Sequence, residues 1–261
     1  MATRRSLYYL LACSASAFAP NPTVRMASSL ASSVDLLDDL PKPLILGSGS
    51  FTRKLILKEM GIDFMVIKRP IDEKGIGDRE KDAAHDLVLM LAKAKMAHLV
   101  KELEAGNCNE ELNGKTPPFV VLTGDQVVTH GGAGTILEKP ESIEEAKAFL
   151  CRYASSPPST VGSCVIHHIA SGIQVSGVDS ATIYFRSSIA DIVDGKDLVD
   201  RLLEGDAPIL DCAGGLMVEH ELVREHLEKI DGTEDSVMGL SKDLVKRLLQ
   251  ELKIKLQEAQ S

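Results

Sequence analysis

The chain has 261 residues, a formal net charge of −9 and no tryptophan, and aromatic residues make up only 4% of it. Such an acidic chain binds polymeric nucleic acid poorly, because that affinity depends on Lys and Arg neutralising many phosphates. The length suffices for one large domain with an aliphatic core, and a small phosphorylated ligand would need only a local basic pocket.

Residues 1–33 are predicted to be a targeting segment that is not part of the fold. They contain Arg4, Arg5 and Arg25 but no acidic residue, and the apolar stretch after Arg5 is too short to span a membrane. The string Ala-Ser-Ala-Phe-Ala-Pro at 15–20 resembles the bipartite presequence of algae whose plastids lie inside extra membranes. There a signal peptide is followed by a transit peptide that begins with Phe, so the resemblance implies a plastid location.

Two alternatives for the N-terminus stay open. A plain secretory signal is disfavoured, because the chain has no Asn-x-Ser/Thr glycosylation acceptor and its five cysteines are scattered. Their spacing fits neither a disulfide framework nor a zinc site, so reduced thiols are expected. Translation from Met26 would instead leave a cytoplasmic protein.

Mixed strands and helices follow, and they are predicted to form a single domain over 41–256. The predicted elements are a strand from Leu44, a helix over 50–60, a strand over 64–68, a helix over 81–104, a strand over 119–128, a hairpin turn at 131–134, a helix over 141–153, β-structure over 161–186 around Ser171-Gly172 and Ser176-Gly177, and helices over 195–204 and 240–256. A polar stretch predicts a loop insertion at 105–118. The pattern indicates an α/β fold with a mixed central sheet.

The turn after the first strand is a candidate anion site. Residues 47–50 read Gly-Ser-Gly-Ser, and Arg53 and Lys54 lie in the first turn of the following helix. Helix N-termini attract anions, Ser48 and Ser50 add hydroxyl donors, and a guanidinium fork fits phosphate oxygens. The segment matches neither the dinucleotide-binding glycine pattern nor a P-loop. An ordinary strand-to-helix turn with a basic face is therefore the alternative.

Four further segments help to decide between an anion site and an ordinary strand-to-helix turn. They are Thr-Gly-Asp-Gln at 123–126, Glu-Lys-Pro at 138–140, Cys-Ala-Gly-Gly-Leu-Met-Val-Glu at 212–219 and Ser-Val-Met-Gly-Leu-Ser at 236–241. Together with Ser-x-Ser-x-x-Arg at 48–53, they resemble the Maf family of nucleoside triphosphate pyrophosphatases. The resemblance runs from about Leu44 to Leu252, with all five motifs in the family's order.

The resemblance implies helices in two lobes around a cleft, related to the inosine-triphosphate pyrophosphatase fold. It implies a hydrolase that converts a nucleoside triphosphate and water into a monophosphate and diphosphate, with a divalent metal, Mg²⁺ or Mn²⁺, and that removes modified nucleotides. The implied partner is the nucleotide substrate. Neither polymeric nucleic acid nor a membrane is expected, and a homodimer is compatible with the pattern.

This chemistry needs neutralised phosphates, a metal held by carboxylates and an oriented water. The resemblance implies that Asp125, Lys139 and Arg53 are catalytic and that Asp125 and Glu73 bind the metal. The predicted substrate-binding residues are Ser48, Ser50, Lys54, Lys95, Gln126 and Glu219. An acid within a strand pattern must end the strand or face a polar site, because an unpaired buried carboxylate is costly.

Each of these residues also has an ordinary structural interpretation. Asp125 could cap a turn, Glu73 could belong to a solvated charge run, and Lys95 could be an exposed helix lysine. Glu219 could be an N-cap or a surface acid. The sequence does not divide the metal-ligand and general-base roles of Asp125.

Departures from the family pattern indicate which nucleobase the substrate carries. The branch acting on thymidine and uridine triphosphates carries Thr and Gln where this chain has Gln126 and Glu219, so the chain looks like the 7-methylguanosine triphosphate branch. A carboxylate can accept hydrogen bonds from guanine N1–H and N2–H. We therefore expect 7-methyl-GTP to be preferred over dTTP and UTP. Phe51 and Thr52 match neither branch, and Glu138 replaces the Gly of a Gly-Lys-Pro motif.

Two other functions stay open. One is a non-catalytic nucleotide-binding regulator of cell or plastid division, and the other is a nucleotide-sugar or phosphoryl-transfer enzyme. The presence of Arg53, Asp125 and Lys139 together favours the hydrolase, because a pure binder would not need all three. Diphosphate as a product would separate the hydrolase from the transferase.

Overall fold

A seven-stranded mixed sheet forms the centre of the protein. The computed structural model describes residues 36–131, 134–215 and 217–261. The strands are β1 (Leu44–Leu46), β2 (Phe64–Val66), β3 (Val120–His130), β4 (Thr135–Leu137), β5 (Ser159–His168), β6 (Ile173–Phe185) and β7 (Leu227–Asp231). Their order is β2-β1-β3-β5-β6-β7, with β4 paired to β3. β1 is parallel to β2 and β3 and the other pairs are antiparallel, which confirms the predicted mixed sheet.

Eight α-helices accompany the sheet in the described part of the chain. They are α1 (Phe51–Glu59), α2 (Ala84–Glu104), α3 (Asn109–Leu112), α4 (Ile143–Tyr153), α5 (Leu198–Glu204), α6 (Glu221–Arg224), α7 (Glu234–Val237) and α8 (Lys242–Glu258). Ser50, Ser142 and Ser241 cap α1, α4 and α8, because each side chain accepts a hydrogen bond from the N–H three residues on. The predicted helices are confirmed, with α2 and α5 beginning slightly later than expected.

One stretch of β3 has no neighbouring strand on the side of β1 and β4. β1 pairs with β3 only as far as Leu122, and β4 pairs with β3 only from Val128 onward. Leu122 packs in an apolar cluster with α1 and α8, whereas Val128 packs in a second cluster with α4 and α5. Residues 123–127 therefore lie between two cores, beyond the carboxyl end of β1. Ligands of α/β proteins commonly bind at such a position.

Two local predictions differ from the structure, and three short elements were not predicted. The stretch predicted as a polar loop at 105–118 contains α3, and Cys108 and Leu112 are buried there. Ser176-Gly177 lies inside β6, where a Cβ on Gly177 would come within 2.7 Å of Leu244 in α8. This glycine therefore permits close helix packing and does not make a turn. The short elements α6, β7 and α7 were not predicted, because they are too short to show a period.

Most of the N-terminal predictions concern residues that the structure does not describe. The predicted targeting segment 1–33 lies outside the described residues, as do Gly132-Ala133 of the predicted hairpin turn, although the β3–β4 pairing confirms the hairpin. Leu37 and Leu40 are buried in the cluster around α8, ahead of the predicted domain start at 41. No helix in the described ranges is both long and apolar enough to cross a membrane.

Candidate active site

The side chain of Arg53 makes more hydrogen bonds within the protein than its sequence context suggests. Its Nη1 donates to the carbonyl of Gly124 at 2.8 Å and to Ser48 Oγ at 3.2 Å, and its Nε donates to the carbonyl of Gly239 at 3.0 Å. The side chain thereby joins the β1–α1 turn to β3 and to the segment after α7. Nη2 makes no hydrogen bond with a described residue, so one edge of the fork remains for an anion.

The surroundings of Arg53 explain how a cation is tolerated there. Burial lowers the pKa of Arg53, and the nearby carboxylate of Asp125 opposes this shift. A guanidinium still keeps its charge at any physiological pH. The two glycines whose carbonyls accept from Arg53 are sterically constrained by other neighbours, because a Cβ on Gly124 would lie 2.5 Å from the carbonyl oxygen of Ser163 and Gly239 has a φ of +109°.

The two serines of the turn are occupied by local contacts. Ser48 is buried and accepts from the backbone N–H of Ser50 at 3.2 Å, besides accepting from Arg53. Ser50 Oγ caps α1 and lies 2.9 Å from Thr52 Oγ1. Lys54 forms no ion pair with a described residue, so its ammonium group remains available. The turn is therefore preorganised by its own hydroxyls, and its cations are the groups left for a ligand.

The side-chain ammonium group of Lys95 lies between two carboxylates at the centre of the site. Lys95 Nζ, projecting from α2, is 2.6 Å from Asp125 Oδ1 and 3.0 Å from Glu73 Oε1. Asp125 is in the middle of β3 and only 7% exposed. The backbone N–H of Asp125 donates to Ser163 Oγ at 3.2 Å. The structure thus brings together three of the residues that the sequence predicted for the site.

This arrangement corrects two ordinary interpretations. Asp125 does not cap a turn, because it is paired within the β3–β5 ladder. Lys95 is not an exposed helix lysine, because its side chain is only 17% exposed. Glu73 pairs with Lys95, but its side chain is 47% exposed, so the structure also fits its interpretation as a solvated charge.

Two small polar residues fix α2 over the sheet, and sequence reasoning missed both. Thr123 Oγ1 donates to the carbonyl of Ala92 at 2.8 Å, and Ser163 Oγ donates to the carbonyl of Val88 at 2.7 Å. Both residues are buried. Because these bonds set the position of α2, they place Lys95 above Asp125. The only signal in the sequence was a hydroxyl residue interrupting each apolar strand.

The pair of carboxylates fits a hard divalent cation. Asp125 and Glu73 converge on one positive charge, and Mg²⁺-type ions are commonly held by one or two carboxylates together with substrate oxygens. No group of three or more His, Cys, Asp or Glu side chains suited to a metal occurs among the residues that the structure describes. A metal would therefore depend on these two carboxylates and on the phosphates of a substrate.

Gln126 is engaged with the backbone of α7. Its Nε2 donates to the carbonyls of Ser236 and Val237 at 3.1 and 2.9 Å. A Cβ on Gly239 would lie 2.9 Å from Gln126 Oε1. Both amide donors are thus directed to the chain, whereas the sequence suggested that Gln126 contacts a base. In the structure, Gln126 holds the segment that also accepts the Arg53 bond.

Lys139 and Glu219 both lie within electrostatic reach of Cys212. Burial is the largest cause that raises the pKa of Cys212 to about 11. The carboxylates of Glu219 and Asp211 act in the same direction, and the ammonium of Lys139 opposes them. Lys139 is exposed and has no ion-pair partner among the described residues. Glu219 is half-buried, which raises its pKa. His220 caps α6, so Glu219 is not the N-cap.

Comparison with known proteins places the chain in a family. The family profile described as Maf-like protein matches residues 43–252. The chain belongs to the Maf family. It is 34% identical over 212 residues to a 7-methyl-GTP pyrophosphatase of Dictyostelium discoideum, covering 81% of this chain and 98% of that relative.

Two bacterial Maf relatives are also similar. A nucleoside triphosphate pyrophosphatase of Chlamydia pneumoniae is 28% identical over 82% of this chain and 96% of its own length. A dTTP/UTP pyrophosphatase of Hahella chejuensis is 27% identical over 82% of this chain and 94% of its own length. The likeness therefore extends over nearly the whole of each relative.

One further arginine of this Maf protein lies at the site and was not predicted. Arg79, in the loop between β2 and α2, forms an ion pair with Glu138, the residue before Lys139. The hydrogen bond with Glu138 is the main cause that raises the pKa of Arg79, and the carboxylates of Asp125 and Glu73 also contribute, so the guanidinium is within their electrostatic reach. An open groove of about 390 Å³ extends from Arg79 and Lys139 to Arg152. Arg79 has no periodic or motif signal in the sequence.

Proposed function

We propose that this protein hydrolyses nucleoside triphosphates to a nucleoside monophosphate and diphosphate, with 7-methyl-GTP preferred over dTTP and UTP. The observation that carries the proposal is Lys95 held between Asp125 and Glu73, beside the Arg53 turn. This group combines the positive charge that phosphates require with the carboxylates that a metal and an attacking water require. The three relatives described above, all named pyrophosphatases, support it.

In the proposed reaction, water adds to the α-phosphorus, the α–β anhydride bond breaks and diphosphate leaves. Lys95, Lys54 and the free edge of Arg53 bind phosphate oxygens and neutralise charge that develops on them. Asp125 and Glu73 are the carboxylates that can accept the proton of the attacking water. Lys139 is free to move onto the substrate because no described acid holds it.

A divalent cation, Mg²⁺ or Mn²⁺, fits the Asp125–Glu73 pair and would supply Lewis-acid polarisation of the phosphates. Asp125 and Glu73 are the residues that would hold such an ion, together with phosphate oxygens of the substrate. In the structure Lys95 pairs with both carboxylates. We expect Lys95 to pair with a phosphate oxygen when a triphosphate is bound, because the phosphates offer it equivalent anionic partners.

The proposed base preference rests on Glu219. Methylation at N7 gives guanine a positive charge, and a half-buried carboxylate pairs with such a base better than a neutral amide does. The raised pKa of Glu219 shows that it lacks full solvation, so a cationic base would relieve a cost that dTTP and UTP leave in place. The name of the Dictyostelium discoideum relative supports the same substrate.

A panel of purified triphosphates tests this proposal. The full chain would be incubated with 7-methyl-GTP, GTP, dTTP and UTP plus Mg²⁺ or Mn²⁺, and diphosphate and orthophosphate would be measured separately. We expect diphosphate and monophosphate in equal amounts, with kcat/KM about ten- to several-hundred-fold higher for 7-methyl-GTP than for dTTP. Binding without turnover would favour the non-catalytic regulator, and orthophosphate alone would exclude cleavage of the α–β bond.

A further inference from the structure

The loop that carries Glu73 is fastened to the segment that carries Lys139 by one arginine. Arg79 Nε and Nη2 donate to the two carboxylate oxygens of Glu138 at 3.2 and 3.1 Å. The same guanidinium donates to the carbonyl of Glu73 at 3.0 Å and to the carbonyl of Ile76. The Arg79 side chain thus bonds two carbonyls of its own loop and also joins this loop to Glu138, about 60 positions further along the chain.

Glu138 connects a third segment to this junction. Its backbone carbonyl accepts a hydrogen bond from the N–H of Gly214 at 2.9 Å. The carbonyl of Gly214 in turn accepts from the hydroxyl of Tyr153 at 2.8 Å. Gly214 belongs to the turn that leads to Glu219. Glu138 therefore contacts the Glu73 loop through its side chain and the Gly214 turn through its backbone, and it directly precedes Lys139.

We infer that the Arg79–Glu138 pair is a positioning device that holds Glu73 and Lys139 in the relative placement that hydrolysis requires. The inference rests on the proposed function. Arg79 and Glu138 act through Glu73 and Lys139, and a bidentate pair suits this task because it fixes orientation as well as distance. Small displacements of reacting groups lower rates strongly even when binding persists.

A neighbouring ion pair shows why this pair in particular is assigned the role. Lys74 and Glu141 join the same two segments through a single contact at 2.9 Å, but their side chains are 87% and 77% exposed. Solvent and salt weaken such a pair until it contributes little. The Arg79 side chain is only 22% exposed and makes four hydrogen bonds, so the connection depends mainly on Arg79.

The test compares R79Q, E138Q and R79Q/E138Q with a control variant, K81Q. Lys81 pairs with Asp78 inside the same loop and does not reach the Lys139 segment. We expect R79Q to lower kcat about tenfold while KM changes less than about twofold. E138Q should lower kcat several-fold, the double variant should be no worse than R79Q, and K81Q should match the parent. Additive losses, or an equal loss in K81Q, would overturn the inference.

Two further measurements separate this inference from the proposed function. E73Q should lower kcat by a smaller factor in an R79Q background than in the parent, because Arg79 acts through Glu73. Amide hydrogen exchange over residues 71–80 should be faster in R79Q and E138Q than in the parent and in K81Q. Unchanged exchange in E138Q would refute the connection even if the protein hydrolyses nucleotides. Faster exchange in a chain that releases no diphosphate would instead refute only the proposed function.

Discussion

At the scale of single residues, the site depends on charges that are only partly solvated. Lys95 is stabilised by two carboxylates, and Asp125 is stabilised by Lys95 and by its place near Arg53. Glu219 differs, because burial raises its pKa although a backbone N–H, His220 and Arg224 partly oppose the shift. A partly desolvated carboxylate of this kind is suited to recognising a cationic ligand.

The raised pKa of Glu219 predicts a pH-dependent substrate preference. Because Glu219 takes up a proton at higher pH than an ordinary glutamate, lowering the pH neutralises it early and removes its attraction for a methylated, cationic base. We expect the ratio of kcat/KM for 7-methyl-GTP to that for dTTP to fall several-fold between ~pH 6.5 and ~pH 5, a range in which the methylated base keeps its N1 proton and its net positive charge. E219Q should show a low ratio throughout. A parent ratio independent of pH would show that Glu219 does not contact the base.

At the scale of elements, the fold is joined at the site by long-range hydrogen bonds. Arg53 in α1 is bonded to Gly239, 186 residues away, and Gln126 in β3 is bonded to the end of α7. These bonds connect the β1–α1 turn, β3 and the segment before α8. The stability of the protein and the geometry of its site should therefore respond together when one of these bonds is removed.

R53K tests this connection between stability and the site. Lysine keeps the charge but lacks the planar fork, so it cannot satisfy the carbonyls of Gly124 and Gly239 as arginine does. We expect the free energy of unfolding in urea to fall by about 1–3 kcal/mol and kcat/KM to recover only partly relative to R53A. R247K, on the exposed face of α8, serves as the control. A parent-like unfolding midpoint and rate for R53K would mean that Arg53 acts as a simple point charge.

Local sequence signals predicted the long elements and part of the site. Apolar residues at helical spacing indicated α2 and α8, and the conflict between a carboxylate and a strand pattern indicated Asp125. The partners of Arg53 and Gln126 could not be predicted, because they are carbonyls brought together only by the folded sheet. Thr123, Ser163 and Arg79 were missed for a related reason, since their roles depend on contacts between elements and no local pattern encodes them.

At the scale of the whole molecule, the predicted plastid location rests on residues 1–33, which lie outside the described residues. A fluorescent protein fused after residues 1–40 should enter the plastid of an alga with a bipartite presequence. F18A should leave the fusion outside the plastid, because the resemblance places Phe18 at the start of the transit peptide. S29A, within the same segment, is the control. Diffuse cytoplasmic signal from the unmutated fusion would favour initiation at Met26.

The placement of the site in the sheet leads to the central claim. The stretch of β3 between the β1 and β4 pairings presents Asp125 to Lys95, with the Arg53 turn beside it. Catalysis at this place should depend on the charge of Asp125 far more than folding does. An isosteric amide keeps the shape of the side chain but removes the charge that a metal or an attacking water requires.

The most direct measurement is diphosphate release from 7-methyl-GTP by the full-length parent and by D125N, with thermal unfolding measured on the same samples. D243N, an exposed aspartate on α8, is the matched control. We predict that the parent and D243N release diphosphate and monophosphate in equal amounts, and that D125N remains folded but is slower by ~10²-fold or more. A folded D125N protein with parent-like turnover would contradict the account.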